Sequence, residues 1–584
     1  MRKIVFTTFL ALAAPALLMS AYGQAKISFN GTARSFLRNN SIGGKRLEGD
    51  SSTTKSLNGG YTLFDWGINI RPNKETEITG VMRMRNEFGG FYGGGVTVGI
   101  RQLTAKGTIA KVIKYQVGDV FLKQTPYTLW NNAEEGRINE AEVFNLPRQV
   151  VYYENYYKPG NLWHMQGLQT EAGLNLGSFI KQATINGFLT RNAPTDYSYT
   201  NQQLIGGGRL RLMQSENFTL GGNYIRLFDL PNNTPQKGRI INEVYTGNFV
   251  TEINSGSNRY FITGEAGVSR LAFPGYTGYI NIPGDSLKNR NDGFGDFGAG
   301  VDFKELGLTL KANYRQVGAN FFSPGAQTKR INFDSTGQFY RYLGNGSERA
   351  IRNVTTMDLL RDETLYNQRF STRLGTTNPL LSNVTPYGAA TPNRAGITVE
   401  ALLKRETFDL QAAGSFLGEM VGIGTEEKRS YTQIRGSGNF HFGKMAGWKK
   451  HLDVTLGYQN ESTSRSGVGA EVVDLKTSLI DAGLNIEIAN KFDLLAGAKI
   501  VSGKGNEVLE IRDNYNRLDI YDANTLRAYN VDMTQSMYAF GFNYRFTPTI
   551  NLTAQGQYFD LSDNTNSNLG YNMTQLFFLF NMHF

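Results

Sequence analysis

Two pairs of arginines stand two residues apart, Arg83 with Arg85 and Arg209 with Arg211. Side chains of an extended chain alternate between faces, so each pair sets two guanidinium groups side by side. Arg101, Lys311, Arg315 and Arg435 fall in the same phase of their own alternating segments, as do Arg34, Arg38, Lys114 and Lys404. Acids on that face are fewer: Asp65, Glu171, Glu265, Glu400, Asp481 and Glu487. Such a surface has two uses. A surplus of positive charge concentrates small anions and favours their passage. Paired with carboxylates, the same groups brace a wall. Both readings stay open on the sequence.

Bond-making chemistry finds little support. The histidines are His164, His441, His451 and His583, and of these His164, beside Trp163, is the one near long connections. There is no Gly-x-Ser-x-Gly elbow, His-Glu-x-x-His pair or phosphate loop. Gly206-Gly207-Gly208 lies within an alternating segment rather than at the start of a helix, which suits packing or curvature. The chain has no cysteine, which excludes disulfides and thiolate metal sites. The expectation is a protein that is not an enzyme, with no catalytic residue, metal or cofactor. The formal charge of +10 is spread along nearly every segment rather than clustered, so a nucleic-acid partner is not expected.

The elements that carry these residues repeat from Lys26 to Phe584: 11–16 residues of alternation, a tight turn, a second such segment, then a longer loop. Ile27, Phe29, Gly31, Ala33, Ser35 and Leu37 share one face of the first. Phe64, Trp66, Ile68 and Ile70 share another, as do Tyr538, Phe540, Phe542, Tyr544 and Phe546. Tight turns are expected near Pro72–Glu75, Lys106–Thr108, Ser215–Asn217, Lys304–Gly307, Glu406–Phe408, Asn490–Phe492 and Thr547–Thr549. Long connections are expected at Asn39–Gly59, Leu122–Gly160, Pro274–Asn291, Asn320–Arg394 and Gly505–Asn530. Turns on one side and loops on the other describe an all-β, closed antiparallel transmembrane β-barrel of about 22 strands, within roughly 18 to 24, with both termini on the turn side. Val150–Tyr157 would make the count odd as a strand, so it is placed in an external loop.

The last segment sharpens the reading. Leu576, Phe578, Phe580, Met582 and Phe584 alternate to the final residue. This resembles the C-terminal assembly signal of bacterial outer-membrane β-barrels, and the chain as a whole resembles a porin-like protein of Gram-negative bacteria. The Asn- and Tyr-rich style and the Gln24 start resemble outer-membrane proteins of the Bacteroidota. Residues 1–23 read as a cleaved signal peptide, with Arg2 and Lys3 before the apolar stretch Ile4–Met19 and a small-x-small site at Ala21-Tyr22-Gly23. Residues 24–584 are then the barrel. Similarity to TonB-dependent transporters stops at the strand number, because only Gln24 and Ala25 precede the first segment and leave no room for an N-terminal plug domain.

The resemblance implies an outer-membrane location, contact with lipid and lipopolysaccharide, and insertion by the outer-membrane assembly machinery. It implies short periplasmic turns and long extracellular loops. The implied function is passive or facilitated passage of small hydrophilic solutes, anions among them. Loop 320–394 is the first candidate to fold inward as a constriction and loop 122–160, rich in aromatics, the second. The alternative is a non-conducting scaffold that docks a secretion, motility or surface-lipoprotein complex. A homo-oligomer or a surface partner fits either reading.

Overall fold

A computed structural model describes residues 25–49, 51, 55–88, 96–132, 139–156, 160–177, 179–193, 201–231, 238–274, 289–327, 383–422, 425–510 and 526–584. The expected signal peptide (1–23), Gln24 and the centre of loop 320–394 lie outside these residues.

The chain runs in eleven hairpins. The first six are β1 (Lys26–Gly43) with β2 (Ser56–Arg71), β3 (Thr76–Glu87) with β4 (Val96–Ile109), β5 (Ile113–Leu122) with β6 (Trp163–Asn175), β7 (Gln182–Ala193) with β8 (Gln203–Met213), β9 (Phe218–Asp229) with β10 (Ile241–Ser255), and β11 (Asn258–Ala272) with β12 (Arg290–Phe303). Then come β13 (Leu308–Val317) with β14 (Arg394–Lys404), β15 (Phe408–Gly418) with β16 (Ser430–His441), and β17 (Leu452–Arg465) with β18 (Val473–Ala489). The last are β19 (Phe492–Glu510) with β20 (Leu526–Thr547) and β21 (Ile550–Asp563) with β22 (Tyr571–His583). Each strand pairs antiparallel with its neighbours, and β1 pairs with β22 from Thr32↔His583 to Gly43↔Asn572. The 22-stranded sheet is therefore closed. Turns occupy one end and loops the other.

The pleat decides which face each residue takes. On β22, Phe578 is 54% exposed and Phe577 only 1%. Leu576 and Phe578 thus face outward, as do Ile27, Phe29 and Leu37 on β1 and the aromatic row Tyr538 to Phe546 on β20. No described helix is long and apolar enough to cross a membrane.

Some local expectations are corrected. The turn placed at Lys106–Thr108 lies at 110–112, and Lys106–Thr108 belongs to β4. Ala110 and Lys111 adopt φ of 51° and 61° there, a left-handed turn without the glycine or asparagine that usually marks one. The loops expected at Asn39–Gly59 and Gly505–Asn530 are shorter, because β1 runs to Gly43, β2 starts at Ser56, β19 runs to Glu510 and β20 starts at Leu526. The Val150–Tyr157 segment is not a wall strand, but neither is its described part an external loop. It ends a helix, α1 (Glu142–Tyr156), that lies inside the barrel.

Apolar lumenal residues hold that helix. Ala141, Val143 and Phe144 pack on Leu495, Met537, Ala539 and Phe559, and Val150 packs on Phe36, Tyr61, Leu63, Phe577 and Leu579. The helix therefore covers the inner side of the β1–β22 closure. Two glycines permit its approach: a Cβ at Gly483 would collide with Ala141, and one at Gly497 would lie 2.7 Å from Val143 and 2.9 Å from Phe144. Pro147 sits within α1 and has no N–H for the Val143 carbonyl four residues back. Gln555 Nε2 of β21 donates to that carbonyl at 2.7 Å instead.

A leucine at Gly497 should overpack this contact by about 1–3 kcal/mol and displace α1 from the wall. Because the chain lacks cysteine, Val150→Cys provides a single thiol. Its labelling by a hydrophilic maleimide should accelerate severalfold in the Gly497→Leu background, and an unchanged rate would contradict this packing.

Candidate functional site

The lumenal charges gather around Asp65 of β2, whose side chain is buried. Arg83, directly opposite on β3, grips it in a bidentate pair, Nε to Oδ1 at 2.7 Å and Nη2 to Oδ2 at 2.6 Å. Arg101 Nη1 donates to Oδ2 at 2.6 Å. A β-bulge aims Arg101 inward: Val81 pairs with Gln102 and Met82 with Ile100, so Arg101 has no partner residue across the ladder and both it and Gln102 are buried. The phenol of Tyr153 on α1 donates to the same Oδ2 at 2.6 Å, and Arg101 also donates to the Tyr153 carbonyl. Arg34, Arg83 and Arg101 lie 5.2, 5.8 and 4.3 Å from the Tyr153 ring centre. Burial first, and then the Asp65 charge, raise the Tyr153 pKa, so the phenol remains a donor at neutral pH. This knot ties the end of α1 to the wall.

The start of α1 is tied across the closure. Lys499 Nζ of β19 lies 2.5 Å from Glu140 and 3.5 Å from Asp481, and Arg148 Nε lies 2.5 Å from Glu140. Lys499 also sits 5.0 Å from the centre of the Phe144 ring.

Two further segments fill the loop-side half. Residues 123–132 and the described ends of loop 320–394 bury Tyr127, Leu129, Phe321, Phe322, Ala326 and Ala390 against β5–β13. Tyr127 stacks on Phe294 at 3.8 Å and donates to Asp296 at 2.5 Å. Burial raises its pKa well above the usual range, so it too remains a donor. Thr125 donates to Glu265 at 2.7 Å, and Gln124 to the Gly208 carbonyl at 2.9 Å. The second end is held by Arg394, which donates to the carbonyls of Val384, Asn393 and Asn383 at 3.0–3.2 Å. Thus both candidate loops turn inward in their described parts, rather than one in place of the other. The lumen at this end is packed, with an apolar cluster beside the buried Gln124, Thr128, Asn132 and Gln327.

The eight basic candidates divide into two sets. Arg83 and Arg101 are bracing groups, and Arg85 pairs with Glu87 at 2.5 Å while lying 3.7 Å from the Tyr61 ring centre. Arg209 and Arg211 on β8, Lys311 and Arg315 on β13 and Arg435 on β16 face the lumen in the phase expected. Their carboxylate contacts are longer: Arg315 to Asp296 and Arg435 to Glu400 are each 3.9 Å. At the turn end a basin of about 1250 Å3 opens between β1 and β6, lined by Arg71, Glu77, Lys106, Lys114 and Glu171 among others.

The histidines serve the wall. His164 lies 2.9 Å from Asp119, His441 2.7 Å from Asp453, His451 3.3 Å from Asp493, and His583 2.9 Å from Thr32. Among the described residues no group of three or more His, Asp or Glu could hold a metal ion. The bracing roles of Tyr153, Glu140 and Lys499 are not expected from the sequence, and the concentration of aromatic residues in loop 122–160 is a signal for Tyr153 alone.

No family model matches the chain, and no curated protein is similar to it in sequence. Solved structures of similar shape include a BenF-like porin from Pseudomonas fluorescens Pf-5, 9% identical, with a TM-score of 0.34 over 96% of this chain and 99% of that one. OccK5 (OpdH) of Pseudomonas aeruginosa is 8% identical, with a TM-score of 0.35 over 95% and 98%. OccK2 (OpdF) of the same organism, solved in complex with glucuronate, is 8% identical, with a TM-score of 0.33 over 96% and 98%. At these scores the architecture rests on the strand register of the chain itself.

Replacing Asp65 with Asn leaves the half-buried Arg83 and the buried Arg101 without their shared charge. The expected loss is about 3–5 kcal/mol of stability, read as a lower denaturation midpoint of the folded barrel. Tyr153→Phe, which removes only the phenol donor, should cost about 1–3 kcal/mol. Equal midpoints for the wild type and Asp65→Asn would show that the knot does not hold the lumen together.

Proposed function

We propose that the chain is an outer-membrane, porin-like channel for small hydrophilic solutes, narrowed by inward segments and biased toward anions. The observation that carries this reading is the closed wall itself, apolar outside and, on β8, β13 and β16, basic inside. Turns would face the periplasm and loops the exterior, with residues 1–23 removed on export and the strand ending in Leu576, Phe578, Phe580, Met582 and Phe584 read by assembly machinery. Field lines focus in a low-dielectric tube, so a few cations not closely held by carboxylates raise the local concentration of anions. Arg209, Arg211 and Lys311 are such cations, and Arg315 and Arg435 stand 3.9 Å from Asp296 and Glu400. Arg83 and Arg101 are given over to structure.

One observation favours the second reading, a non-conducting scaffold: the loop-side half is packed with apolar side chains. A planar-bilayer experiment on the purified protein separates the two. Discrete steps with anion preference support the channel. Arg209→Glu with Arg211→Glu should then lower the anion-to-cation permeability ratio severalfold, seen in the reversal potential under a salt gradient. An unchanged ratio would assign these arginines to bracing as well, and a wild-type barrel silent at all voltages would leave the scaffold.

A further inference from the structure

One seam of the wall stops short. β3 and β4 pair from Thr76↔Gly107 to Asn86↔Val96, whereas β4 and β5 pair only from Ile109↔Ile113 to Thr104↔Gly118. The cause is local. Gly118 adopts a φ of 95°, and a Cβ there would collide with the Leu103 carbonyl. The Asp119 carboxylate then accepts from the Leu103 N–H at 2.5 Å, and Thr104 Oγ1 donates to the Asp119 carbonyl at 2.8 Å. Side chains thus end the ladder. Beyond it β5 stays with β6, from Asp119↔Gln166 to Leu122↔Trp163, and carries Val120 and Leu122 into the interior cluster.

Among the described residues, nothing pairs with the second edge of β4 from Val96 to Ile100, a length of about 17 Å. All five residues are exposed, Thr97 and Gly99 of the inward phase included. A Cβ at Gly99 would meet no atom within 4 Å. The outward residues of β4 are apolar from Ile109 and Leu103 to Ile100, Val98 and Val96, and Met82 and Met84 of β3 stand in register beside Ile100 and Val98. The open edge therefore lies within the apolar part of the wall. Backbone polar groups find no partner in hydrocarbon, and an edge at that depth persists where it lines a watery cavity. A polar cluster stands at its foot. His164 Nε2 lies 2.9 Å from Asp119, and Gln166 donates to the same carboxylate at 3.3 Å. Phe121 stacks on His164 with ring centres 4.8 Å apart.

We propose that β4 and β5 frame a lateral opening, and that it admits single-chain amphiphiles between the lumen and the leaflet on the loop side. An apolar surface with a few converging polar groups suits such a molecule. Its chain lies against Val98, Ile100 and Leu103, and its head group meets Gln166 and His164. This route goes beyond the axial passage of hydrophilic solutes. It rests on that reading in one respect, the placing of this wall in a bilayer.

The test uses the full-length folded protein in phospholipid nanodiscs. The chain has no cysteine, so Gly99→Cys and Val98→Cys each supply a single thiol. A hydrophilic maleimide should label position 99, in the opening, severalfold faster than position 98, which faces lipid. Dodecanoate should slow labelling at position 99 severalfold, glucose should not, and a thiol from Lys449→Cys in an exposed turn should ignore both. Gly99→Trp fills the space and should lower retention of radiolabelled dodecanoate severalfold while leaving ion conductance as in the wild type. Equal labelling at positions 98 and 99, no protection by dodecanoate, or unchanged retention by Gly99→Trp each overturns the assignment. A barrel silent in planar bilayers, with labelling and protection at position 99 intact, removes the channel reading and keeps the opening. A conducting barrel whose Gly99→Cys thiol is unreactive removes the opening alone.

Discussion

Closure of the sheet is the constraint from which the rest of the structure follows. A strand in a lipid-like medium has no solvent to satisfy its edge, so every backbone N–H and C=O needs a neighbouring strand. The pairing of β1 with β22 meets that need over twelve residue pairs. With the two ends of the sheet joined, the outward face is free to be apolar and the inward face takes the polar residues. Charges, glutamines and asparagines occupy that inner face along most of the wall.

A cylinder of this many strands is wide, and its own side chains cannot fill it. The chain fills it with its loops. Residues 123–132 and 139–156 and the two ends of loop 320–394 turn inward and bring with them the apolar residues that bury Leu63, Phe577 and Ile225 on the lumenal face. Polar contacts hold these segments in place. Asp65 gathers two guanidinium groups and one phenol, and Gln555 satisfies the carbonyl that Pro147 leaves open. Such buried groups add specificity of position more than net stability, because desolvation offsets much of the attraction between the charges. The cost falls when a partner is removed, which is why Asp65 is the sensitive point of the site.

The wall was legible in the sequence and much of the interior was not. Period-two patterning states which face a residue takes without reference to anything distant, so the strand number and the inward phase of Arg83, Arg209 and Arg435 could be read directly. The opposition of Asp65 and Arg83 follows once the register of one hairpin is known. Tyr153 reaches Asp65 across 88 residues, and no local pattern records that. Val150, Val151, Tyr152 and Tyr153 have strand-forming composition, yet the segment is helical, because Val150 packs on the lumenal cluster of Phe36, Leu63 and Phe577, Tyr153 binds Asp65, and tertiary packing outweighs propensity. The turn at Ala110 and Lys111 lacks the residues that mark such turns.

The central claim is that inward segments pinned to the wall, and not the width of the barrel, set what passes. The most direct measurement is the single-channel conductance of the wild type beside a variant whose residues 123–160 are replaced by a short Gly-Ser linker, both refolded and recorded under the same salt. The account predicts a small wild-type conductance and a severalfold larger one for the variant. Equal conductances from two folded barrels would contradict it, because the segment from Lys123 to Gly160 would then lie outside the path of the ions.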